Sequence, residues 1–435
     1  MAEASVERFE SLLAPRGREL LDHLATEAAA ADTPLRLGTM LRSRYPADLV
    51  AEALAQHELR LLARAKFSRA MEMFFTRPGL EQASSEVVAR HRAARYRAAG
   101  RVADLCCGIG GDLIVLAEDP GVPGEDHRAP AEDPRVPAGD HRAPGEDLRG
   151  PAGSRQVLAV DRDPLHLRVA RANAEVCGVA GNLTSEQSDV REVSLAGLDA
   201  IFVDPARRAG GRRLRAGQSE PPLAWCLGLA ERVGAVGIKA APGLPHEAVP
   251  PGWELEFIAI GRALKEAVAW SPALATAPRP AAGAGRATRA TLLPGGHTLV
   301  SEPGPPVEVR MPGEFLLDPN PAVTRASLVA ELARGLGAWK IDDQIAFLSA
   351  DVPLRTPFGR GLRVIDSAPW NQKQLPARLR ALDIGAVDIR RRGLAGDVDQ
   401  LHRRLKLSGS RRATLVMTRV QDRPWALICL DADQP

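Results

Sequence analysis

The sequence is short of lysine. Six of its 57 basic residues are lysine and the rest arginine. Beside so much Ala, Gly and Pro, that bias reads as GC-rich coding and lowers the weight of any arginine cluster. Cysteine is scarce as well. The five cysteines, at 106, 107, 177, 226 and 429, form no C-x-x-C pair, which argues against a disulfide framework and fits a reducing cytoplasm. There is no run of eighteen apolar residues and no charged-then-apolar leader. The expectation is therefore a cytoplasmic chain, neither membrane-spanning nor secreted. The histidines are scattered without ligand spacing, so no metal site is expected. A formal net charge of +3 is too small to argue for nucleic acid by itself. At 435 residues the chain has room for two or three domains.

What is present is one glycine turn between a strand and a helix. The run Asp104-Leu105-Cys106-Cys107-Gly108-Ile109-Gly110-Gly111-Asp112 follows the end of a short buried strand and precedes the apolar residues 113–117. That geometry brings bare backbone N–H groups up to a ligand. A nicotinamide fingerprint needs a third glycine, and Leu113 stands in its place. Asp104, at the strand's end, suits a ligand with a cationic amino-acid end better than a pyrophosphate, which favours S-adenosylmethionine over NAD. Cys106, Gly108 and Gly110 join it as candidate cofactor contacts. A second apolar strand, 157–161, ends in Asp161, the acid that ribose hydroxyl recognition requires. Asp104 and Asp161 lie 57 residues apart, against roughly 20 in such a unit. The excess is the tract 119–155, rich in Pro, Gly and charge, in which Val122-Pro-Gly-Glu-Asp-His-Arg-Ala-Pro is closely repeated from Val136. Such a composition cannot bury enough apolar surface to order itself, so it is expected to be a disordered insertion. Without its 37 residues the separation is 20.

Ahead of the turn, residues 1–65 read as a helical cap, and Phe67, Phe74 and Phe75 cluster on the approach. After Asp161, a helix over 164–177 has Asp163 as its N-cap and Gly178 at its end. A third strand, 183–190, ends in Asp189, an acid that can accept from an adenine amino group. The fourth strand, 200–203, ends in Asp204-Pro205-Ala206-Arg207-Arg208, at the sheet edge where open α/β folds hold ligands. An exocyclic base amine is a poor nucleophile because its lone pair is delocalised into the ring. A carboxylate from Asp204 and the Pro205 carbonyl, accepting both N–H bonds, would localise that pair and aim it by positioning alone. Further strands are expected at 235–239 and 253–260 (extended by 267–270), with a hairpin at 291–300. Seven alternating strands with crossover helices predict one doubly wound α/β domain over 66–302. Beyond a linker, 311–435 reads as a separate α/β unit. Between 376 and 423 it holds twelve Arg or Lys and five Asp. Arg390-Arg391-Arg392, Arg403-Arg404 and Arg411-Arg412 either neutralise phosphates or form a solvated surface.

The glycine turn, Val160-Asp161-Arg162-Asp163-Pro164 and Asn173-Ala174-Glu175-Val176-Cys177-Gly178 together resemble class I methyltransferases. Over 66–240 the chain is similar to the RNA cap guanine-N2 methyltransferases, the trimethylguanosine synthase group. The whole chain is similar to bacterial methyltransferases that carry a C-terminal THUMP-like domain, a region resembling RNA-binding modules. The resemblance implies a Rossmann-like, doubly wound seven-stranded methyltransferase sheet, an N-terminal helical region over 1–65 and a THUMP-like α/β domain over 311–435. It implies an S-adenosylmethionine-dependent methyltransferase acting on an exocyclic or ring nitrogen of an RNA base. Asp204 and Pro205 would then be catalytic. Asp104, Cys106, Gly108, Gly110, Asp161 and Asp189 would hold the cofactor, and Arg207 and Arg208 the substrate. A small-molecule or protein acceptor, or a non-catalytic cofactor-binding module, are the alternatives. Two departures narrow the choice. The cap enzymes carry Pro-Pro-Trp after the fourth strand, whereas this chain has Pro205-Ala206-Arg207, so stacking there falls to a guanidinium. Asp-Pro-x-Arg also resembles the uridine C5 methyltransferases, which need a cysteine nucleophile after the fifth strand. Lys239 stands there instead, and C5 chemistry is disfavoured.

Overall fold

The computed structural model describes residues 2–27, 39–118, 155–206, 208–209, 212–213, 219–278 and 286–432. The repeat tract lies outside them except for its last residue. Arg155 is buried and donates to the carbonyls of Tyr96, Ala99 and Leu116. It belongs to the fold rather than to the insertion. The chain forms two compact units, Met1–Val249 with Val268–Ala275, and Pro250–Ala267 with Thr276–Pro435. The boundary expected at 302 falls inside the second unit.

The first unit opens with helices α1 (Ala2–Leu13), α2 (Pro15–Glu27) and α3 (Ala47–Ala63), which bury Leu12, Leu20, Leu24 and Val50 among one another. Two short helices, α4 (Arg77–Gln82) and α5 (Glu86–Ala93), lead to strand β1 (Arg101–Leu105). Then follow α6 (Gly111–Ala117), β2 (Gln156–Asp161), α7 (Pro164–Val176), β3 (Leu183–Gln187), β4 (Ala200–Val203), α8 (Leu223–Gly228) and β5 (Ala235–Ala240). The strands stand in the order β3-β2-β1-β4-β5, and every pairing is parallel. β1 and β4 are buried on both faces, as strands covered by helices must be, and this is why they read as continuous apolar runs. Strand order reverses at β1, with β2 to one side and β4 to the other, so the C-terminal ends of β1, β2 and β4 meet at a topological switch point. Asp163 caps α7 by accepting from the Leu165 amide at 2.9 Å.

In the second unit, β6 (Glu254–Ile260) runs parallel to β8 (Ala287–Leu293), which turns back antiparallel into β9 (His297–Val300). Residues 267–270 do not extend β6. They end a separate strand, β7 (Ala263–Trp270), reached through a turn at Gly261 and Arg262. The stretch 101–300 therefore holds nine strands longer than two residues among those described, where periodicity predicts seven. The C-terminal sheet contains β10 (Phe315–Pro319), β11 (Leu348–Ala350), β12 (Gly359–Pro369), β13 (Ile384–Arg391), β14 (Arg411–Val420) and β15 (Arg423–Asp431). It runs β11-β10-β12-β15-β14-β13, with helices Leu375–Ala381 and Val398–Arg404 before and after β13. The helix expected over 321–336 is two helices, Pro321–Arg325 and Val329–Leu336, interrupted where Ser327 takes a left-handed φ of 60°. No helix among the described residues is long and apolar enough to cross a membrane.

Candidate active site

The chain leaves β1 through left-handed backbone: Cys106 has φ 64°, Gly108 φ 53° and Gly110 φ 88°. At Gly110 the space is also short. A Cβ there would stand 3.2 Å from the Ala170 backbone of α7, closer than ordinary van der Waals contact. Glycine is thus required twice over at that position, for its φ and for the approach of α7. A Cβ on Gly108 would meet nothing within 4 Å; only its φ asks for glycine. The turn is tied to β2 on its other flank. The Cys107 amide donates to the Val160 carbonyl at 3.0 Å. Asp161 accepts from the Gly108 amide through Oδ2 and from the Asp163 amide through Oδ1, each at 2.9 Å.

Carboxylates gather at these strand ends. Asp104 is 1% exposed, and neither of its oxygens has a hydrogen-bond partner among the described residues. Burial pushes its carboxyl well above the usual range. The neighbouring charges of Asp112 and Asp204 push the same way, against the pull of Arg92. Arg92, equally buried, is ion-paired with Asp112 and lies over the Phe202 ring at 5.0 Å. Asp204 follows β4, its amide donating to the Leu105 carbonyl at 3.1 Å. Its Oδ2 accepts from Lys239 Nζ at 2.6 Å. The parallel register Val203↔Ile238 sets these two residues side by side on adjacent strands. Four carboxylates, Asp104, Asp112, Asp161 and Asp204, thus face two cations, Arg92 and Lys239. Among the described residues no such group has the arrangement of a metal-ligand set.

Not every expected residue joins them. The Asp189 carboxylate accepts from the Arg191 amide at 3.0 Å and from its Nε at 2.9 Å, and this guanidinium holds it below the usual range. Arg207 lies outside the described residues, as does the side chain of Arg208; the Arg208 backbone forms a two-residue antiparallel ladder ending at Arg213. Burial raises the thiols of Cys106 and Cys226, Cys226 to about 12. A neutral thiol is a weak nucleophile.

Three residues without an expected role shape the site. Asn173 is fully buried. It accepts from the Phe74 amide at 2.7 Å and donates to the Phe74 and Ile109 carbonyls at 2.9 and 3.0 Å. One side chain thereby ties the segment before α4 to the glycine turn. Arg92 and Lys239 are the others, and the sequence offered one clue: lysine is rare, and Lys239 stands at a strand end. A cavity of about 640 Å³ bordered by His57, Arg64, Phe67 and Met71 includes none of the strand-end residues.

In the second unit the basic residues divide into two groups. Arg392 is held by Asp318 at 2.8 Å, Arg378 by Asp366 at 2.6 Å, Arg412 by Asp388 at 2.7 Å and Arg419 by Asp422 at 2.9 Å. Arg390, Arg403, Arg404 and Arg411 are exposed on β13, the helix after it and the start of β14.

Comparison with known proteins places this architecture. A family model described as THUMP domain-like matches residues 359–431, and one described as a domain of unknown function matches 5–65. Two curated proteins of Mycobacterium tuberculosis strains, both named as uncharacterized S-adenosylmethionine-dependent methyltransferases, are 35% identical over 356 residues, covering 80% of this chain and 85% of theirs. A crystal structure of a candidate methyltransferase from Porphyromonas gingivalis W83 superposes with a TM-score of 0.70 at 18% identity, over 96% of this chain and 99% of that one, and shows that the fold is shared. A glycine turn set among strand-end acids, on a chain related over four-fifths of its length to these proteins, identifies it: the protein belongs to the S-adenosylmethionine-dependent methyltransferases and carries a C-terminal THUMP-like domain.

Proposed function

We propose that the enzyme transfers the methyl group to an exocyclic or ring nitrogen of an RNA base in the cytoplasm. The observation that carries this reading is the Asp204 carboxylate, next to the Pro205 carbonyl, at the switch-point edge that also holds Asp104. When bound, S-adenosylmethionine supplies a methyl group made electrophilic by its sulfonium. The residues fit such a ligand. Asp104 offers two buried oxygens without partners among the described residues, a costly arrangement unless a cation completes it, and four acids facing two bases leave a surplus of negative charge for a ligand bearing an ammonium and a sulfonium. Gly108 and Gly110, with Cys106, present backbone to the ligand. Asp161 keeps lone pairs for ribose hydroxyls beyond the two amides it already accepts. Asp189 would take the adenine amino group while sharing its carboxylate with Arg191.

On the acceptor side, Asp204 and Pro205 orient the nitrogen, and Arg207 and Arg208 contact the substrate. Support for RNA comes from the THUMP-like segment and the exposed arginines on its edge. Kinship with the cap guanine-N2 enzymes is a finer part of the proposal, with Arg207 where those enzymes stack an aromatic. So is the division into helices to 65, a methyltransferase segment over 66–302 and a THUMP-like segment over 311–435. The test is nucleoside mass spectrometry of total RNA from a strain lacking the gene. One methylated base should be missing, and purified enzyme with cofactor should restore it. An unchanged nucleoside profile, with no label taken up by that RNA in vitro, would sink the assignment.

A further inference from the structure

Lys239 sits where an apolar residue would be cheaper. It is 6% exposed at the end of β5, and its Nζ donates to Asp204 Oδ2 at 2.6 Å and to the Gln82 carbonyl at 3.4 Å. Enclosing an ammonium costs folding free energy even when it is paired, and apolar replacement of a buried pair is often neutral or stabilising. An Asp204 left alone would have done for anchoring a cationic acceptor. The charged groups around it are mostly acidic: Asp104 from β1 and, through Asp104, Asp112 and Asp161, with Arg92 opposing them.

We infer that Lys239 is the positioning and specificity residue of the acceptor site, one that selects a neutral planar amine and rejects a protonated alkylamine. This rests on the proposed role of Asp204. A lone carboxylate with 29% of its side chain exposed recruits ammonium groups such as lysine side chains or polyamines, and a protonated amine has no lone pair to give. Paired with Lys239, the same carboxylate is neutralised and held in one place. Oδ2 is taken, while Oδ1 and the Pro205 carbonyl remain to accept N–H bonds. That set of acceptors matches an amine that is uncharged at neutral pH, as the amino groups of nucleobases are.

The discriminating measurement uses n-butylammonium and needs no RNA. Titrated calorimetrically into full-length protein saturated with S-adenosylhomocysteine, it should bind Lys239→Met at least roughly tenfold more tightly than wild type, the scale of one charged hydrogen bond. Equal binding to both proteins overturns the inference. Lys239→Gln repeats the measurement should the methionine variant not fold, and Lys239→Arg, which keeps the charge, should behave as wild type. In methyl transfer to RNA from the deletion strain, Lys239→Met should lose roughly ten- to a hundredfold in kcat with unchanged cofactor affinity. It should lose nothing further in an Asp204→Asn background, because the two act as one unit. If Asp204→Asn is inactive while Lys239→Met turns over normally, the Lys239 inference fails and the Asp204 assignment stands. If Asp204→Asn turns over normally, both fail.

Discussion

Asp104 and Arg412 are ionisable groups in opposite surroundings. Asp104 is closed off from water and has no hydrogen-bond partner among the described residues. Arg412 has 69% of its side chain exposed and is paired with Asp388 at 2.7 Å. Each stands for its region: at the strand ends of the first unit, acids are buried in excess of their cations, while along β13 and β14 arginines are plentiful, solvated and often already paired. An exposed pair is worth about 0–1 kcal/mol, and an isolated exposed arginine costs the fold almost nothing. Its presence therefore says little. A buried carboxyl group without a partner forfeits its hydrogen bonds to water, at about 1–3 kcal/mol, and such groups cluster where something uses them. The twelve basic residues counted between 376 and 423 thus weigh less than the single Asp104, and the surplus over that stretch shrinks once Arg378 and Arg392 are seen paired with Asp366 and Asp318, which lie outside it.

Substitutions can break this comparison, beginning where the effect should be largest. Asp204→Ala should lower methyl transfer by roughly a hundredfold or more while sparing affinity for S-adenosylhomocysteine, since misplacing a reacting group costs on that scale. Turnover at the wild-type rate would reduce Asp204 to a strand terminator. Asp161→Ala should do the reverse and weaken S-adenosylhomocysteine binding by about ten- to a hundredfold in calorimetry. A slackened glycine turn adds to the loss, because the Gly108 and Asp163 amides lose their acceptor.

The third effect is a proton. The Asp104 carboxyl is held well above its usual value, so without ligand the folded protein keeps a proton that the unfolded chain gives up. Stability of the free protein should therefore fall as pH rises from the ordinary carboxylate range through the raised folded value. A cationic ligand favours the ionised form, so its binding should release protons at pH values between the ordinary carboxylate range and the raised folded value. Binding heats measured in buffers of different ionisation enthalpy read this directly. A heat independent of buffer would mean that Asp104 is already ionised. Asp104→Asn should abolish the release and remove the decline in stability.

The smallest effects belong to the arginine-rich edge. Combined replacement of Arg390, Arg403, Arg404 and Arg411 by alanine should flatten the salt dependence of RNA binding, by about 0.7 in log–log slope for each arginine that touches a single-stranded phosphate. An unchanged slope would move the RNA surface to the segment after Pro205. Arg412→Ala, breaking an exposed pair, should leave the melting temperature nearly unchanged and serves as the control.

Much of the fold was legible because it is written in local chemistry. Apolar runs marked β1, β2, β4 and β5, Asp163 marked the start of α7, and glycines marked the turn. The twenty-residue spacing emerged once the repeat tract was set aside, though Arg155 belonged to the fold and not to the tract. Where local chemistry misled, the cause was a turn with no strong signal. Gly261-Arg262 made two strands of one, and Ser327 made two helices of one, through a left-handed φ that serine rarely adopts.

By itself the sequence determined the strand–turn–helix unit, the acids that end its strands and the methyltransferase class, because each depends on residues within a few positions of one another. Only the tertiary structure decided which of those acids are paired. Asp104 is bare, Asp112 is bound to Arg92, Asp204 to Lys239 and Asp189 to Arg191. Three of these four outcomes turn on contacts between residues 20 or more positions apart or on burial. A carboxylate's behaviour is set by the charge and solvent within a few ångströms of it, and in the sequence Asp104 and Asp189 look alike.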